Sequence, residues 1–252
     1  MDGPRILLVE DADELCRAGA DLVAAALAAN PAAAVVAATG RTPVDLYAEL
    51  AARRRGGLLD TSRLTAFQLD EYLGLEPSDR RSLFGWMEQT FLRPLQIDGD
   101  RVVRLPLDGD AGGKAGGALE DACAAFDRAL TARGGLDLAI LGLGPNGHLG
   151  FNEPPSGPHD PTRAVALSPA TIASNAGYWG EVADVPTSAV TMGLAQLLAS
   201  RAIVVLVSGE GKREIVHRAL EGPVGPEVPA SFLRETGADV TVVVDRAAWG
   251  DA

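Results

Sequence analysis

Seven short apolar runs alternate along the chain with Ala-, Leu-, Glu- and Arg-rich segments: Ile6–Val9, Ala34–Ala38, Leu64–Leu69, Arg101–Leu105, Leu136–Leu141, Ala202–Val207 and Val240–Val244. Runs of this length, several of them rich in β-branched residues, read as buried strands, and the segments between them place apolar residues at helical spacing. Helices are expected over Ala12–Ala29, Pro43–Arg54, Ser82–Leu92, within Gly112–Arg133, over Thr187–Leu198 and over Lys212–Leu220. Strand and helix in alternation require crossover connections, and these build a mainly parallel sheet with helices on both faces, an α/β fold. With 252 residues and no internal repeat, the chain reads as one domain over residues 1–252. Asp108–Gly117 and Pro154–Arg163 read as surface loops within it rather than linkers.

A formal net charge of −12 excludes a broad nucleic-acid surface, which needs clustered Lys and Arg. An anionic ligand would have to rely on a few local cations and backbone amides. Two cysteines, Cys16 and Cys123, are too few for a disulfide framework, and both fall in Ala-rich helical segments, as expected of buried free thiols. The sequence shows no signal-type segment and no run of about 18 apolar residues, so a soluble, cytoplasmic protein without membrane contact is expected. No His, Cys and acid spacing suggests a metal site. His159 and His217 read as solvated or structural, and Trp86, Trp179 and Trp249 as packing residues, with Trp179 in a segment able to close over a ligand.

The chemistry concentrates where the apolar runs end. In an open parallel sheet, ligands bind beyond the carboxyl ends of the strands. After Ala34–Ala38 stands Thr39-Gly-Arg-Thr-Pro43, where Thr42 is expected to cap the next helix with Asp45 completing a capping box. Gly40 lets amides face an anion there, and Arg41 adds a planar cation. After Leu64–Leu69 come Asp70 and Glu71, adjacent acids that point in different directions, so that one serves a cleft. After Leu136–Leu141 comes Gly142-Leu-Gly-Pro-Asn-Gly-His-Leu-Gly-Phe-Asn-Glu-Pro154, which sets His148 and Glu153 in one glycine-rich loop as an acid/base pair. Gly142–Gly147 also matches the G-x-G-x-x-G dinucleotide pattern, but Pro154, Pro155 and Pro158 leave no room for the helix that pattern opens. After Ala202–Val207 comes Ser208-Gly-Glu-Gly-Lys212, a lysine entering a helix against its dipole, which makes sense if it meets an anion. Two anion-binding turns, a carboxylate and a His–carboxylate loop on one edge suit proton transfer on a sugar phosphate.

At these residues the chain resembles the glucosamine-6-phosphate deaminase (isomerase) family, whose fold is shared with 6-phosphogluconolactonases. The resemblance runs through Thr39–Pro43, Leu69-Asp-Glu-Tyr-Leu-Gly74, Gly142–Pro154, Pro186-Thr-Ser-Ala-Val-Thr-Met-Gly193, Gly209–Lys212, Glu221–Val224, Pro229–Leu233 and Asp245, close to the whole chain. It implies a Rossmann-like three-layer sandwich and conversion of a 2-amino-2-deoxy-hexose 6-phosphate to ketose 6-phosphate and ammonia, with no cofactor. It assigns ring opening to His148, oriented by Glu153, proton movement between C2 and C1 to Asp70, and the phosphate to Gly40, Arg41, Thr42 and Lys212. Asn146 joins the catalytic candidates, and Glu71 and Gly147 the substrate-binding ones. The Phe-Asn-Glu-Pro tail after the Gly-His pair is what separates deaminases from lactonases.

Two departures stand out. Many relatives carry an acid where Asn146 stands, and an arginine where this chain has Ile172, with no arginine anywhere in Thr171–Tyr178. Arg41 is expected to supply the missing cation. The favoured substrate is glucosamine 6-phosphate. Galactosamine 6-phosphate, a lactonase reaction and a non-catalytic sugar-phosphate sensor are the alternatives, and the sensor lacks a basic DNA-binding extension. A homo-oligomer is compatible with the sequence.

Overall fold

The structure, a computed structural model, describes residues 3–75, 79–107 and 117–250. In chain order the elements are β1 (Arg5–Val9), α1 (Ala12–Ala29), β2 (Ala34–Ala37), α2 (Val44–Arg55), β3 (Thr65–Gln68), β4 (Asp70–Tyr72), α3 (Leu83–Met87) and β5 (Val102–Val103). There follow α4 (Gly117–Ala132), β6 (Leu138–Gly142), β7 (Arg163–Ala166), α5 (Pro169–Trp179), β8 (Ser188–Thr191), α6 (Leu194–Leu198), β9 (Ala202–Val207), α7 (Arg213–Glu221), β10 (Asp239–Asp245) and α8 (Arg246–Trp249).

All seven apolar runs become strands of one sheet, in the order β1-β10-β9-β6-β2-β3-β5, and every pairing in it is parallel. Successive strand residues point to opposite faces, and each central strand therefore feeds two cores. Val36, Ala139, Leu141, Ile203 and Val205 enter one, with Phe126, Leu130 and Ile215 from α4 and α7. Val35, Leu138, Ile140, Val204 and Leu206 enter the other, with Leu15, Val23, Leu46 and Leu50 from α1 and α2. A strand buried on both faces carries no alternation, and this is why these runs read as continuous apolar stretches.

Where the sequence reading departs from the structure, a second sheet accounts for most of it. The expected helix Thr187–Leu198 is instead strand β8 followed, after Gly193, by the short α6. β8 pairs antiparallel with β4 on one side and β7 on the other. Its propensity and spacing are those of a short apolar segment, which periodicity cannot assign, and pairing with distant segments decided it. Val190 of β8 enters the main core, while Ala189 packs outward with Tyr72, Phe151, Leu167, Trp179 and Val185 beneath α5. The small sheet thus carries α5 as a roof.

Three smaller differences follow from local chemistry. The helix expected over Ser82–Leu92 is α3 continued by a π-helical turn, Glu88–Leu92. Pro43, not Thr42, is the N-cap of α2, and no side chain caps it. The Pro154–Arg163 segment is pinned rather than free on the surface: Ser156 and Thr162 are buried, and Thr162 Oγ1 donates to Asp127 Oδ1 at 2.5 Å. The expected loop Asp108–Gly117 lies almost wholly outside the described residues, α4 beginning at Gly117. Cys16 and Cys123 are buried free thiols. No helix among the described residues is long and apolar enough to cross a membrane.

Candidate active site

Connections from β2 run through β3 toward β5, whereas those from β6 run through β9 toward β10, and β2 and β6 are neighbours. The chain direction across the sheet reverses between them, and such a switch point opens a crevice at the strands' carboxyl ends. The four chemical clusters follow β2, β3, β6 and β9, which are four adjacent strands. They meet around a cavity of about 360 Å³ lined by Gly40, Arg41, Thr42, Asp70, His148 and Lys212, among others.

Asp70 stands where the chain leaves the parallel sheet and enters the antiparallel one, its partner being Thr191. It is buried, and its Oδ1 has no hydrogen-bond partner. Burial, with Glu71 beside it, pushes the carboxyl up to about 7, against a hydrogen bond from Thr39. A buried carboxylate at the lining of a cavity, with one oxygen left without a hydrogen-bond partner, can serve as a general base whose affinity for a proton suits neutral pH. Its neighbour Glu71 points the other way, as strand geometry requires. Glu71 accepts from the backbone N–H groups of Leu83 and Phe84, each at 2.9 Å, and from Ser82 Oγ at 2.7 Å. It therefore fastens the start of α3, and the structure withdraws it from the substrate-binding set. Tyr72, two residues from Asp70 and so on the same face, lines the cavity instead.

His148 lies flat against Gly144, where a Cβ would sit 2.2 Å from the ring. Its Nδ1 meets Asn146 Oδ1 at 2.7 Å. Asn146 Nδ2 in turn donates to Glu153 Oε1 at 3.0 Å. A carboxylate only accepts, so this second bond fixes the amide's orientation. Asn146 Oδ1 then faces His148, Nδ1 carries the proton, and Nε2 keeps its lone pair. The direct His148–Glu153 separation is 3.9 Å, so Glu153 orients the imidazole through Asn146 and not by its own contact. Burial and Lys212 hold His148 below the ordinary histidine range, opposed by the charge of Glu153. Glu153, by contrast, is held below the usual carboxylate range against its own burial by hydrogen bonds from Ser168, Thr171 and Asn146.

The turn after β2 and the turn after β9 supply the cations. Arg41 is exposed at the cavity. Lys212 is half-buried, its Nζ donating to Leu143 O at 2.6 Å, and burial lowers its proton affinity. The β9 turn is possible because Gly209 adopts φ 92°, a conformation that disfavours other residues. Asp245 secures it, accepting from Ser208 Oγ at 2.5 Å and from Gly209 N at 3.2 Å. Gly147 does not line the cavity. Its carbonyl accepts from Ala230 N at 2.8 Å, and a Cβ would meet Val228 at 2.7 Å, so it is a packing glycine.

The roof helix presents Thr171, Ser174, Asn175 and Tyr178 to the cavity, residues spaced along one helical face. Ile172 turns away and packs on the cluster around Tyr72 and Phe151. Asn175 Nδ2 donates to the Tyr72 hydroxyl at 2.9 Å. Arg81 stacks on the Trp179 ring at 4.3 Å. Arg80, Arg81 and Trp86 also line the cavity; the sequence reading took Trp86 as a packing residue and did not single out the two arginines. The Arg80-Arg81-Ser82 run before a capped helix was the available signal. Of the histidines outside the site, His159 is exposed and His217 Nε2 bonds Trp249 O at 2.8 Å. Among the described residues, no group of three or more His, Cys, Asp or Glu side chains is placed to hold a metal ion.

A family model described as glucosamine-6-phosphate isomerases/6-phosphogluconolactonase matches residues 10–242. The chain belongs to this family. It is 39% identical over 243 residues to glucosamine-6-phosphate deaminase 2 of Bacillus subtilis, covering 96% of this chain and 94% of that protein. It is 36% identical over 244 residues to a glucosamine-6-phosphate deaminase of Halothermothrix orenii, covering 97% and 98%. Among solved structures, a monomeric glucosamine-6-phosphate deaminase superposes with a TM-score of 0.90 at 32% identity, covering 97% of this chain and 98% of that one. A 6-phosphogluconolactonase from Trypanosoma brucei superposes at 0.78 with 20% identity, a likeness of fold alone. In this member of the family, Asp70 and His148 face one cavity, and Asn146 and Glu153 form the layer behind.

Proposed function

We propose that the protein carries out the deaminating isomerisation of an amino-hexose 6-phosphate, with glucosamine 6-phosphate the favoured substrate and fructose 6-phosphate and ammonia the products. The observation that carries this reading is that one cavity is lined both by Asp70, a buried carboxylate with a raised proton affinity, and by a histidine whose outer nitrogen is free. The deaminases among the relatives, which match 96–97% of this chain, support it.

Lys212 and Arg41, with the amides of the Gly40 turn, receive the phosphate. His148 Nε2 accepts the proton of the anomeric hydroxyl and returns one to the ring oxygen, opening the pyranose to the aldehyde. Asp70 takes the C2 proton, giving the enolamine, and delivers a proton to C1. The resulting imine at C2 takes up water and releases ammonia, leaving the ketose. The ring-opening proton passes through His148 and the C2 proton through Asp70, the substrate's own ammonium group supplies the proton for the C1 oxygen, and water supplies the ketone oxygen as ammonia leaves; no cofactor enters the sequence of steps.

The test is ammonia release by purified protein given glucosamine 6-phosphate and galactosamine 6-phosphate separately, with Asp70→Asn as control. Ammonia from the glucosamine compound that vanishes in the variant supports the reading. Ammonia from the galactosamine compound alone changes the substrate but keeps the chemistry. Silence with both, and hydrolysis of 6-phosphogluconolactone undiminished in Glu153→Gln, overturns it in favour of the lactonase.

A further inference from the structure

We propose that Ser168 and Thr171, at the start of the roof helix α5, are positioning residues that decide which nitrogen of His148 carries its proton. The connection is a continuous chain of hydrogen bonds. Glu153 Oε1 accepts from Thr171 Oγ1 and Ser168 Oγ, each at 2.6 Å, and from Asn146 Nδ2 at 3.0 Å. Its Oε2 accepts from Ser168 N at 2.7 Å. Thr171 is buried, so its hydroxyl has no water to fall back on.

With Glu153 ionised, Asn146 offers it Nδ2 and offers Oδ1 to His148, and the imidazole is protonated on Nδ1. A protonated Glu153 is a donor. It would give its proton toward Asn146 Oδ1, the amide would turn, and Nδ2 would donate to His148 Nδ1. The imidazole would then lose its Nδ1 proton to water and gain one on Nε2. One proton has been added, to Glu153, and the histidine is neutral throughout, yet the nitrogen facing the cavity has changed from acceptor to donor. A carboxylate at position 146 could not relay in this way, because it has no N–H to present. The two hydroxyls of α5 therefore act on His148 at one remove, by keeping Glu153 charged.

The charged groups around Glu153 are few. His148 lies at 3.9 Å with Lys212 beyond it. Asp160 and Arg163 line the smaller cavity behind Glu153 and are paired with each other at 3.1 Å. None competes with the hydroxyls for the Glu153 oxygens. Because Ser174, Asn175 and Tyr178 of the same helix line the substrate cavity, any displacement of α5 reaches the imidazole by this route.

The experiment is long-range ¹H–¹⁵N correlation of the His148 ring in the substrate-free protein between pH 8 and pH 4, so its result is independent of which sugar phosphate the cavity takes. Wild type should show Nδ1–H at neutral pH. Glu153→Gln, whose oxygen must meet the Ser168 N–H and whose NH2 group then faces Asn146, should show Nε2–H throughout. Thr171→Val, isosteric but without the hydroxyl, should raise the Nε2–H to Nδ1–H ratio on the acid side about tenfold, the effect of losing one hydrogen bond to a charged group. Thr171→Ser should return it to the wild-type ratio. Nδ1–H in Glu153→Gln, or a Thr171→Val titration that overlays wild type, overturns the proposal. So does an equal change of the ratio in Thr171→Val and Thr171→Ser, since serine keeps the hydroxyl and the effect would then not be the hydroxyl's.

Discussion

Replacing Gly144 with alanine tests the geometry of the His148 loop directly. The added Cβ would lie 2.2 Å from both Cδ2 and Nε2 of the ring and 2.4 Å from Cε1. Carbon atoms in contact sit at about 3.5 Å or more, so the ring has to move by roughly 1 Å. It cannot do so and keep the 2.7 Å bond from Nδ1 to Asn146. Gly144 has no positive φ, so the alanine backbone itself is unstrained. The ring can swing into the open cavity, and folding stability should change by no more than about 1 kcal/mol, roughly 2–4 °C in Tm for a chain of this size. Catalysis should suffer far more. A 1 Å misplacement of a reacting group costs on the order of 10²-fold, equivalent to about 2.7 kcal/mol of barrier. Steady-state ammonia release should therefore show kcat down about 100-fold at nearly unchanged Tm. A variant with kcat within threefold of wild type would refute the claim that this loop holds the imidazole in its working position. A variant that loses its thermal transition would refute the claim that the ring has somewhere to go.

Four other outcomes are expected. Asp70→Asn should abolish turnover yet be the more stable protein above pH 7. The Asp70 carboxyl is raised from 3.8 to about 7, so the folded state binds its proton more tightly than the unfolded state and stability falls as pH rises through that window. The wild-type protein should lose stability between about pH 4 and pH 7, by an amount on the order of a few kcal/mol in unfolding free energy that shows as a falling Tm, and Asp70→Asn should not show this loss. Lys212→Ala should raise KM for the sugar phosphate at least tenfold, and the phosphate-free amino sugar should not distinguish the two proteins. Arg41→Ala should raise KM with kcat nearly unchanged, since an exposed cation at the mouth binds ground state and transition state alike; an unaltered KM would exclude Arg41 as the replacement for a roof arginine. Asp245→Ala removes both the tie to the Gly209 turn and the N-cap bond to Ala248 N at 2.7 Å. It should cost about 2 kcal/mol in urea unfolding and raise KM by loosening the Lys212 turn.

The sequence was most legible where one physical pattern acts alone. Central parallel strands, buried on both faces, demand unbroken apolar runs, and the two edge strands β1 and β5, though partly exposed, are apolar enough that all seven in the main sheet could be read from the apolar pattern. β8 was not legible, because Ser188–Thr191 is a strand only by virtue of β4 and β7, which lie more than a hundred and about twenty residues away in the chain. Glu71 shows the same division within the site. Alternation along a strand says that one of two adjacent acids faces the cleft, but only the position of α3 reveals what the other does. Arg80, Arg81 and Trp86 escaped notice as cavity residues because a mouth is built by folding separate segments over one opening.

By itself the sequence determined the α/β class, the seven strands, and the residue types able to move protons or hold an anion, because these follow from apolar periodicity and side-chain chemistry within short windows. Tertiary structure alone decided that β9, β6, β2 and β3 stand side by side, which brings Lys212, His148, Arg41 and Asp70 to one cavity. It also decided that Glu153 reaches His148 through Asn146 and is itself held by α5. Strand order and long-range hydrogen bonds depend on the energy of whole surfaces packed together, and no local window of the chain contains that term.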